Sequence, residues 1–237
     1  MTYTILGFCE RSGQVGIGVA TYSLVVGALC PAIAANAGVI ASQAFVNPEF
    51  RTLGLSLLRQ AWPAEQVLGA LKTADPNIDF RQVLVLDTMG RGAAHTGGRT
   101  RPWSGHKTGP GYVAAGNVLA GQKVVDAIAQ AFVGAADADL DDRLLRALEA
   151  GRDAGGQVGS QGHLPERSAV LIVHGRAPYD ELDLRVDMHP DAVTQIRAVR
   201  EEFAPYRAFH HLRHIDPGSA PPQEVFAAEL AAKRQQR

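Results

Sequence analysis

Cysteine is scarce in this chain, and aromatic residues are few. The 237 residues include 2 cysteines and 6% aromatic residues. Cys9 lies in an apolar segment and Cys30 stands just before a proline, neither beside an activating motif. Two thiols cannot form a metal site alone. We therefore expect two reduced, buried thiols of a cytoplasmic protein, with a catalytic cysteine as the alternative.

Positively and negatively charged residues are also nearly balanced in number. The formal net charge is −1, and the basic residues are scattered, which gives no argument for a nucleic acid or an anionic membrane as partner. The longest apolar stretch, residues 24–40, is interrupted by glycine, proline and asparagine. It is therefore predicted to form buried strands rather than a membrane span. The chain opens directly on a strand pattern, so we expect no targeting peptide.

The start of the chain carries the clearest pattern. Residues 2–9 and 14–21 both read as strands, and Arg11-Ser12-Gly13 between them predicts a hairpin turn. If Met1 is removed, Thr2 becomes the first residue of a central strand and gains a free α-amine beside its hydroxyl. Such an amine can act as the base that activates a hydroxyl nucleophile.

Beyond this hairpin, strands alternate with pairs of helices. Asn47-Pro48 predicts the start of a helix to Ala61, and a second helix is predicted from Pro63 to Asp75. Further strands are predicted at 24–29, 37–43, 81–86, 91–96, 103–108, 112–117, 168–173 and 183–187. Further helices are predicted at 124–132, at 139–152 and from Pro190, with a glycine-rich loop at 153–166.

This order predicts an α+β fold, a four-layer αββα sandwich of two stacked, mainly antiparallel sheets between helix pairs. A Rossmann fold is excluded because no GxGxxG follows a strand. The domain is predicted to span residues 1–204, followed by a C-terminal extension, 205–237, of linker and short helix. His210 and His214 in the extension lack acidic or cysteine companions, so we expect no metal site and no cofactor.

Several segments resemble the bacterial domain-of-unknown-function family 1028, which is placed in the N-terminal nucleophile (Ntn) hydrolase superfamily. The resemblance covers residues 2–200 and is carried by TYTI at 2–5, GIGVAT at 16–21, VGA at 26–28, ASQA at 41–44 with NP at 47–48, AHTG at 94–97, WSGHKTG at 103–109, GNVLAG at 116–121, RSA at 167–169 and DLRVDMHP at 183–190. It implies the same αββα sandwich and a likeness to proteasome-type enzymes, which hydrolyse amide bonds with an N-terminal threonine.

Two polar residues in the predicted short strands are candidate catalytic residues. Asn117 lies between a strand end and a helix start, where its amide could stabilise an oxyanion or cap the helix. His95 could transfer a proton or orient a substrate, or it could be a hydrogen-bonded structural group. We interpret His106 as structural.

The resemblance adds four polar residues that are expected to line the substrate site. Ser23, Ser42 and Gln43 end early strands that flank Thr2 in an Ntn sheet, and Ser168 takes the place of a site-lining serine. In a separate group, Asp183, Arg185 and Asp187 alternate along one strand and so share a face. We interpret that group as a structural ion-pair network at a subunit contact.

Together these observations predict an Ntn-type amidohydrolase that acts on a small linear or short peptide-like amide, with Thr2, Asn117 and His95 as catalytic residues. We expect a homo-oligomer without nucleic-acid or membrane partners. The alternative is a catalytically inactive Ntn-fold binding or assembly protein that retains Met1.

Overall fold

The computed structural model describes residues 1–177 and 181–235. The strands are β1 (Thr2–Cys9), β2 (Gln14–Thr21), β3 (Pro31–Ala34), β4 (Gly38–Ala44), β5 (Arg81–Asp87), β6 (Gly92–Thr96), β7 (Ser104–Gly109), β8 (Tyr112–Asn117), β9 (Gln157–Gly159), β10 (Gly162–Leu164), β11 (Ser168–His174) and β12 (Glu181–Val186). The helices are α1 (Val26–Leu29), α2 (Glu49–Arg59), α3 (Ala64–Ala74), α4 (Gln122–Gly134), α5 (Leu140–Asp153), α6 (Ala192–Ile215) and α7 (Gln223–Gln235).

Two antiparallel sheets form the centre of the first compact unit, Met1–Arg197. The larger sheet has the strand order β12-β11-β2-β1-β8-β7, and the smaller has the order β3-β4-β5-β6. β1 lies between β2 and β8, so the first strand of the chain is central in the larger sheet. β9 and β10 form a separate two-stranded hairpin.

The core lies in three layers, which follow from the two-residue alternation of the strands. Leu6, Val19 and Val170 of the larger sheet pack against Val39 and Leu84 of the smaller one. On the outer face of the smaller sheet, residues of α2 and α3 pack on β4 and β5; they include Phe50, Leu58, Val67 and Leu71.

The outer face of the larger sheet is covered by α4 and α5. A Cβ added to Gly7 of β1 would lie 2.7 Å from the Phe132 ring and 3.1 Å from Leu140, so these helices pack closely on the strand. The structure therefore confirms the predicted αββα sandwich.

Three predictions about elements were wrong in detail. Residues 24–29 contain the short helix α1 (Val26–Leu29) rather than a strand, because Val25 adopts a left-handed conformation (φ 54°) that turns the chain. Apolar runs of this length do not distinguish a strand from a buried turn. The predicted loop 153–166 contains the β9–β10 hairpin, and β3 was not predicted.

The second compact unit, Ala198–Arg237, is described as far as residue 235. The division falls inside α6, which also continues through Pro205, where the sequence predicted the sandwich domain to end and the C-terminal extension to begin. Within the unit, Phe226 of α7 stacks on Phe209 of α6 at a centroid distance of 4.4 Å, and His210 lies beside Phe203 at 5.8 Å. In the described part of the chain, every helix is too short or too polar to cross a bilayer.

Candidate functional site

A row of polar side chains crosses the larger sheet at the end where β1 begins. Asn117 of β8 pairs with Thr2, Thr2 pairs with Thr21 of β2, and Thr21 pairs with Ser168 of β11. Paired residues on neighbouring strands project from the same face of a sheet. Two residues further along the same face, Ala115, Val19 and Val170 belong to the core between the sheets. The polar row therefore closes one end of that core.

The hydroxyl of Thr2 belongs to a short chain of hydrogen bonds. Thr2 is only 8% exposed, and its Oγ1 lies 3.2 Å from the Oγ1 of Thr21. The Thr21 hydroxyl donates to the Met1 carbonyl oxygen and accepts a bond of 3.2 Å from the Ser23 N–H. Thr21 is thus the direct partner of both Thr2 and Met1.

The α-amine of Met1 is held at the same place. It donates to Asn117 Oδ1 at 2.7 Å. Burial, and to a smaller extent the positive charge of Arg101, lower the pKa of this amine from 8.0 to about 6, while Cys30 acts in the opposite direction. A cation at this position is disfavoured by loss of solvent and by a neighbouring cation. A large fraction of the amine is therefore neutral at pH 7.

Asn117 does not cap a helix, because α4 begins at Gln122 and its N-cap residue is Gly121. The capping interpretation was wrong. The side chain of Asn117 points instead into the buried polar group, where its Nδ2 donates to Gln82 Oε1 at 3.0 Å. Asn117 therefore connects the α-amine to the interior of the protein.

Two buried glutamines of the smaller sheet complete this group. Gln43 Nε2 donates to Gln82 Oε1 at 2.7 Å, and Gln43 Oε1 accepts from the Thr4 hydroxyl at 2.5 Å. Gln82 Nε2 lies 2.9 Å from Thr96 Oγ1 and 2.9 Å from the Gly116 carbonyl oxygen. Sequence reasoning found Gln43 but missed Gln82, whose signal is an amide within the otherwise apolar run of β5.

Two cavities open beside Met1. One of about 200 Å³ is lined by Met1, Ser23, Ala44, Phe45, Arg101, Asn117 and Val118. The other, of about 600 Å³, is lined by Met1, Tyr22, Arg101, Pro102, Val118, Val158, Gly159, Ser160, Gln161 and Leu164. Arg101 is common to both and was missed, since an exposed arginine in a loop has no distinctive sequence signal.

The remaining predicted residues divide into two groups. Ser23 lines the smaller cavity, and Ser168 donates to the Ser23 carbonyl oxygen at 2.8 Å, so both belong to the site region. Ser42 and His95 are the immediate neighbours of Gln43 and Thr96 along their strands. Their side chains therefore project from the opposite face of the smaller sheet, toward the helices. The structure does not bring these two side chains to Thr2.

Ser42 and His95 have structural partners on that side. Ser42 Oγ accepts from the Asn47 N–H at 2.9 Å, in the turn before α2. A ring nitrogen of His95 lies 3.3 Å from the Ile78 carbonyl oxygen. His106 Nδ1 lies 2.8 Å from Thr96 Oγ1. These contacts favour the structural interpretation of His95 and His106 and give Ser42 a structural role as well.

The buried thiol nearest to the site is poorly suited to nucleophilic attack. Burial raises the pKa of Cys30 to about 12, although Arg51 and the N-terminal amine act against this shift. The thiolate is the reactive form of cysteine. Among residues 1–177 and 181–235, no group of three or more His, Cys, Asp or Glu side chains could hold a metal ion.

Asp183 and Arg185 lie on the exposed face of β12, where the Arg185 guanidinium makes two bonds of 2.8 and 2.7 Å to the Asp183 carboxylate. The predicted ion pair therefore forms within one strand.

The chain belongs to a family whose biochemical role is open. The model of the family described as "Family of unknown function (DUF1028)" matches residues 2–196. The crystal structure of protein SPO2555 from Silicibacter pomeroyi, of the same family, is 30% identical, with a TM-score of 0.77 over 86% of this chain and 89% of that one. Anbu (ancestral beta-subunit) from Yersinia bercovieri is 13% identical, with a TM-score of 0.40 over 86% of this chain and 94% of that one. A search of curated proteins gave no match.

Proposed function

We propose that this protein is an Ntn-type amidohydrolase in which Thr2, exposed by loss of Met1, is the nucleophile. One observation carries the proposal: a threonine hydroxyl at the end of the central strand lies 3.2 Å from a second hydroxyl, in a buried region that lowers the pKa of the adjacent Met1 amine to about 6. The Thr2 amine that replaces it on loss of Met1 would lie in the same region. An amine that is neutral near pH 7 can accept the proton of a hydroxyl nucleophile.

The reaction would proceed in two steps. Thr2 Oγ1 attacks the amide carbonyl carbon while its proton passes to the α-amine of Thr2. The C–N bond then breaks, and the departing amine takes that proton, which leaves an ester on Thr2. Water, deprotonated by the same amine, hydrolyses the ester and releases the acid, and the hydroxyl of Thr2 is restored.

Thr21 and Asn117 would divide the supporting roles. The Thr21 hydroxyl already donates to a carbonyl oxygen, that of Met1, so loss of Met1 would free this donor for the substrate oxyanion. The Nδ2 of Asn117 is occupied by Gln82, whereas its Oδ1 accepts from the Met1 amine and Asn117 stands opposite Thr2 on the neighbouring strand. We therefore assign Asn117 to orienting the Thr2 amine once Met1 is lost, rather than to the oxyanion.

A second function is favoured by the way Met1 is held. Both backbone ends of Met1 have specific partners, Asn117 at the amine and Thr21 at the carbonyl oxygen. A protein that retains Met1 would use it as part of the cavity wall and act as a binding or assembly module without catalysis.

Substitution of Thr2 tests the enzymatic proposal. A panel of N-acyl amino acids, linear amides and dipeptides is incubated with the wild type, Thr2→Ser and Thr2→Ala. We expect hydrolysis by the wild type and by Thr2→Ser, which keeps a hydroxyl, and none by Thr2→Ala. Equal hydrolysis by Thr2→Ala would place the nucleophile elsewhere.

A further inference from the structure

Arg101 lies beside the site, but the proposed reaction assigns it no role. It lines both cavities beside Met1, and it is the one charged side chain among the residues that line them. No carboxylate in the described part of the chain pairs with its guanidinium. Other arginines of this unit are neutralised, for example Arg81 by Asp75 at 2.9 Å and Arg197 by Glu149 at 2.7 Å.

The charge of Arg101 acts on the site itself, because it contributes to the lowered pKa of the Met1 amine. The guanidinium of Arg101 is therefore a permanent positive charge at the border of the smaller cavity, whose lining includes no carboxylate. A guanidinium offers paired N–H donors that match the two oxygens of a carboxylate. An anionic ligand would be attracted to this end of the sandwich, and a cationic ligand would be repelled.

The larger cavity adds an apolar requirement. Its walls include Tyr22, Val118, Val158 and Leu164. Binding sites for small molecules combine such apolar walls with a few polar groups that fix orientation. A ligand that fits both cavities would present one charged end to Arg101 and an apolar group to these walls.

We infer that Arg101 binds the carboxylate of an anionic amide substrate, whose apolar group lies in the larger cavity and whose amide carbonyl lies at Thr2. The substrate class is an N-acyl amino acid or a short peptide with a free carboxylate. This inference rests on the proposed function, since it names the substrate of the same site. Met1 lines both cavities, so its removal would extend them toward Thr2.

Binding can be measured without turnover by using the Thr2→Ala protein after its mass has shown that Met1 is absent. The probes are N-acetyl-L-leucine and its neutral carboxamide, with the same pairs for valine and phenylalanine, titrated by calorimetry. We expect the acid of at least one pair to bind about tenfold more tightly than the carboxamide. Arg101→Met should remove this preference, and Arg101→Lys should retain part of it.

Arg99→Met is the matched control, because the Arg99 guanidinium lies over the Phe80 ring at 5.1 Å and lines neither cavity. It should keep the full preference for the acid. The inference is overturned if no pair shows a preference, whether because both probes bind equally or because neither binds. It is also overturned if Arg101→Met keeps the preference.

The carboxylate site at Arg101 and the Thr2 mechanism can be overturned separately. Amide hydrolysis by the wild type without any preference for acids would overturn the role of Arg101 and leave the Thr2 mechanism intact. A preference for acids in a protein that hydrolyses no amide would support the carboxylate site and overturn the proposed function.

Discussion

The side-chain oxygen of Asn117 lies 2.7 Å from the α-amine of Met1, across the pair of strands in which Asn117 stands opposite Thr2. This contact fixes the amino terminus at the end of the central strand. It also joins the amine to Gln82 and, through it, to the buried polar group between the sheets. The amino terminus is therefore held in place by hydrogen bonds to the buried polar group of the fold.

The lowered pKa of the amine predicts a pH-dependent stability in protein that retains Met1. The pKa is 8.0 as the ordinary value and about 6 in the fold, so between these values the unfolded chain binds a proton that the folded chain has lost. The free energy of unfolding should rise between pH 6 and 8 by at most about 3 kcal/mol and fall again as the pH is lowered.

Urea unfolding measures this effect on protein made by cell-free synthesis with methionine aminopeptidase inhibited. The N-terminally acetylated protein is the control for other groups that titrate in this range. An equal pH dependence in both forms would show that the amine is not the cause.

Gln82 should be a major determinant of stability. It is fully buried, and Gln82→Ala would leave Gln43 and Asn117 without an acceptor they share. Unpaired buried polar groups are costly, and we expect the free energy of unfolding to fall by about 2–5 kcal/mol. Gln60→Ala, at an exposed glutamine that donates to Ser56, should change it by less than about 0.5 kcal/mol. Similar losses in both variants would argue against the buried group.

Thr21 should affect the rate of hydrolysis through its hydroxyl. Thr21→Val removes the group that bonds both Thr2 Oγ1 and the Met1 carbonyl oxygen, and kcat should fall by about 100-fold with little change in KM. Thr21→Ser keeps the hydroxyl and should retain most of the activity. The assignment fails if valine and serine behave alike with the fastest substrate of the panel.

Cys30 should be dispensable for chemistry. Since burial raises the pKa of its thiol to about 12, Cys30→Ala should keep the rate of amide hydrolysis, and iodoacetamide should label Cys30 only after unfolding. Complete loss of hydrolysis by a folded Cys30→Ala protein would restore the cysteine alternative.

The sequence was most informative where hydrophobic periodicity was long and regular. The hairpin of β1 and β2 and the paired helices followed from it, and together with the resemblance they predicted the sandwich. The position of Thr2 at the head of a central strand followed as well. Residues 24–29 were misjudged because their turn depends on a left-handed conformation at Val25, which a valine does not signal.

The site was only partly predictable, for a physical reason. Side chains of the polar row meet through strand pairing across distant parts of the chain, as Asn117 and Thr2 do. A sequence shows that Gln82 and Arg101 are polar but does not show which face of a sheet or which cavity they reach. The same limit explains why Ser42 and His95 were expected at the site, although they face the opposite side of their sheet.

The central claim depends on the loss of Met1, and intact-mass spectrometry of the protein purified from an ordinary bacterial host measures it directly. Our account predicts the mass of the chain beginning at Thr2, with a free amine. A mass that includes Met1 in all of the protein would contradict the Thr2 mechanism.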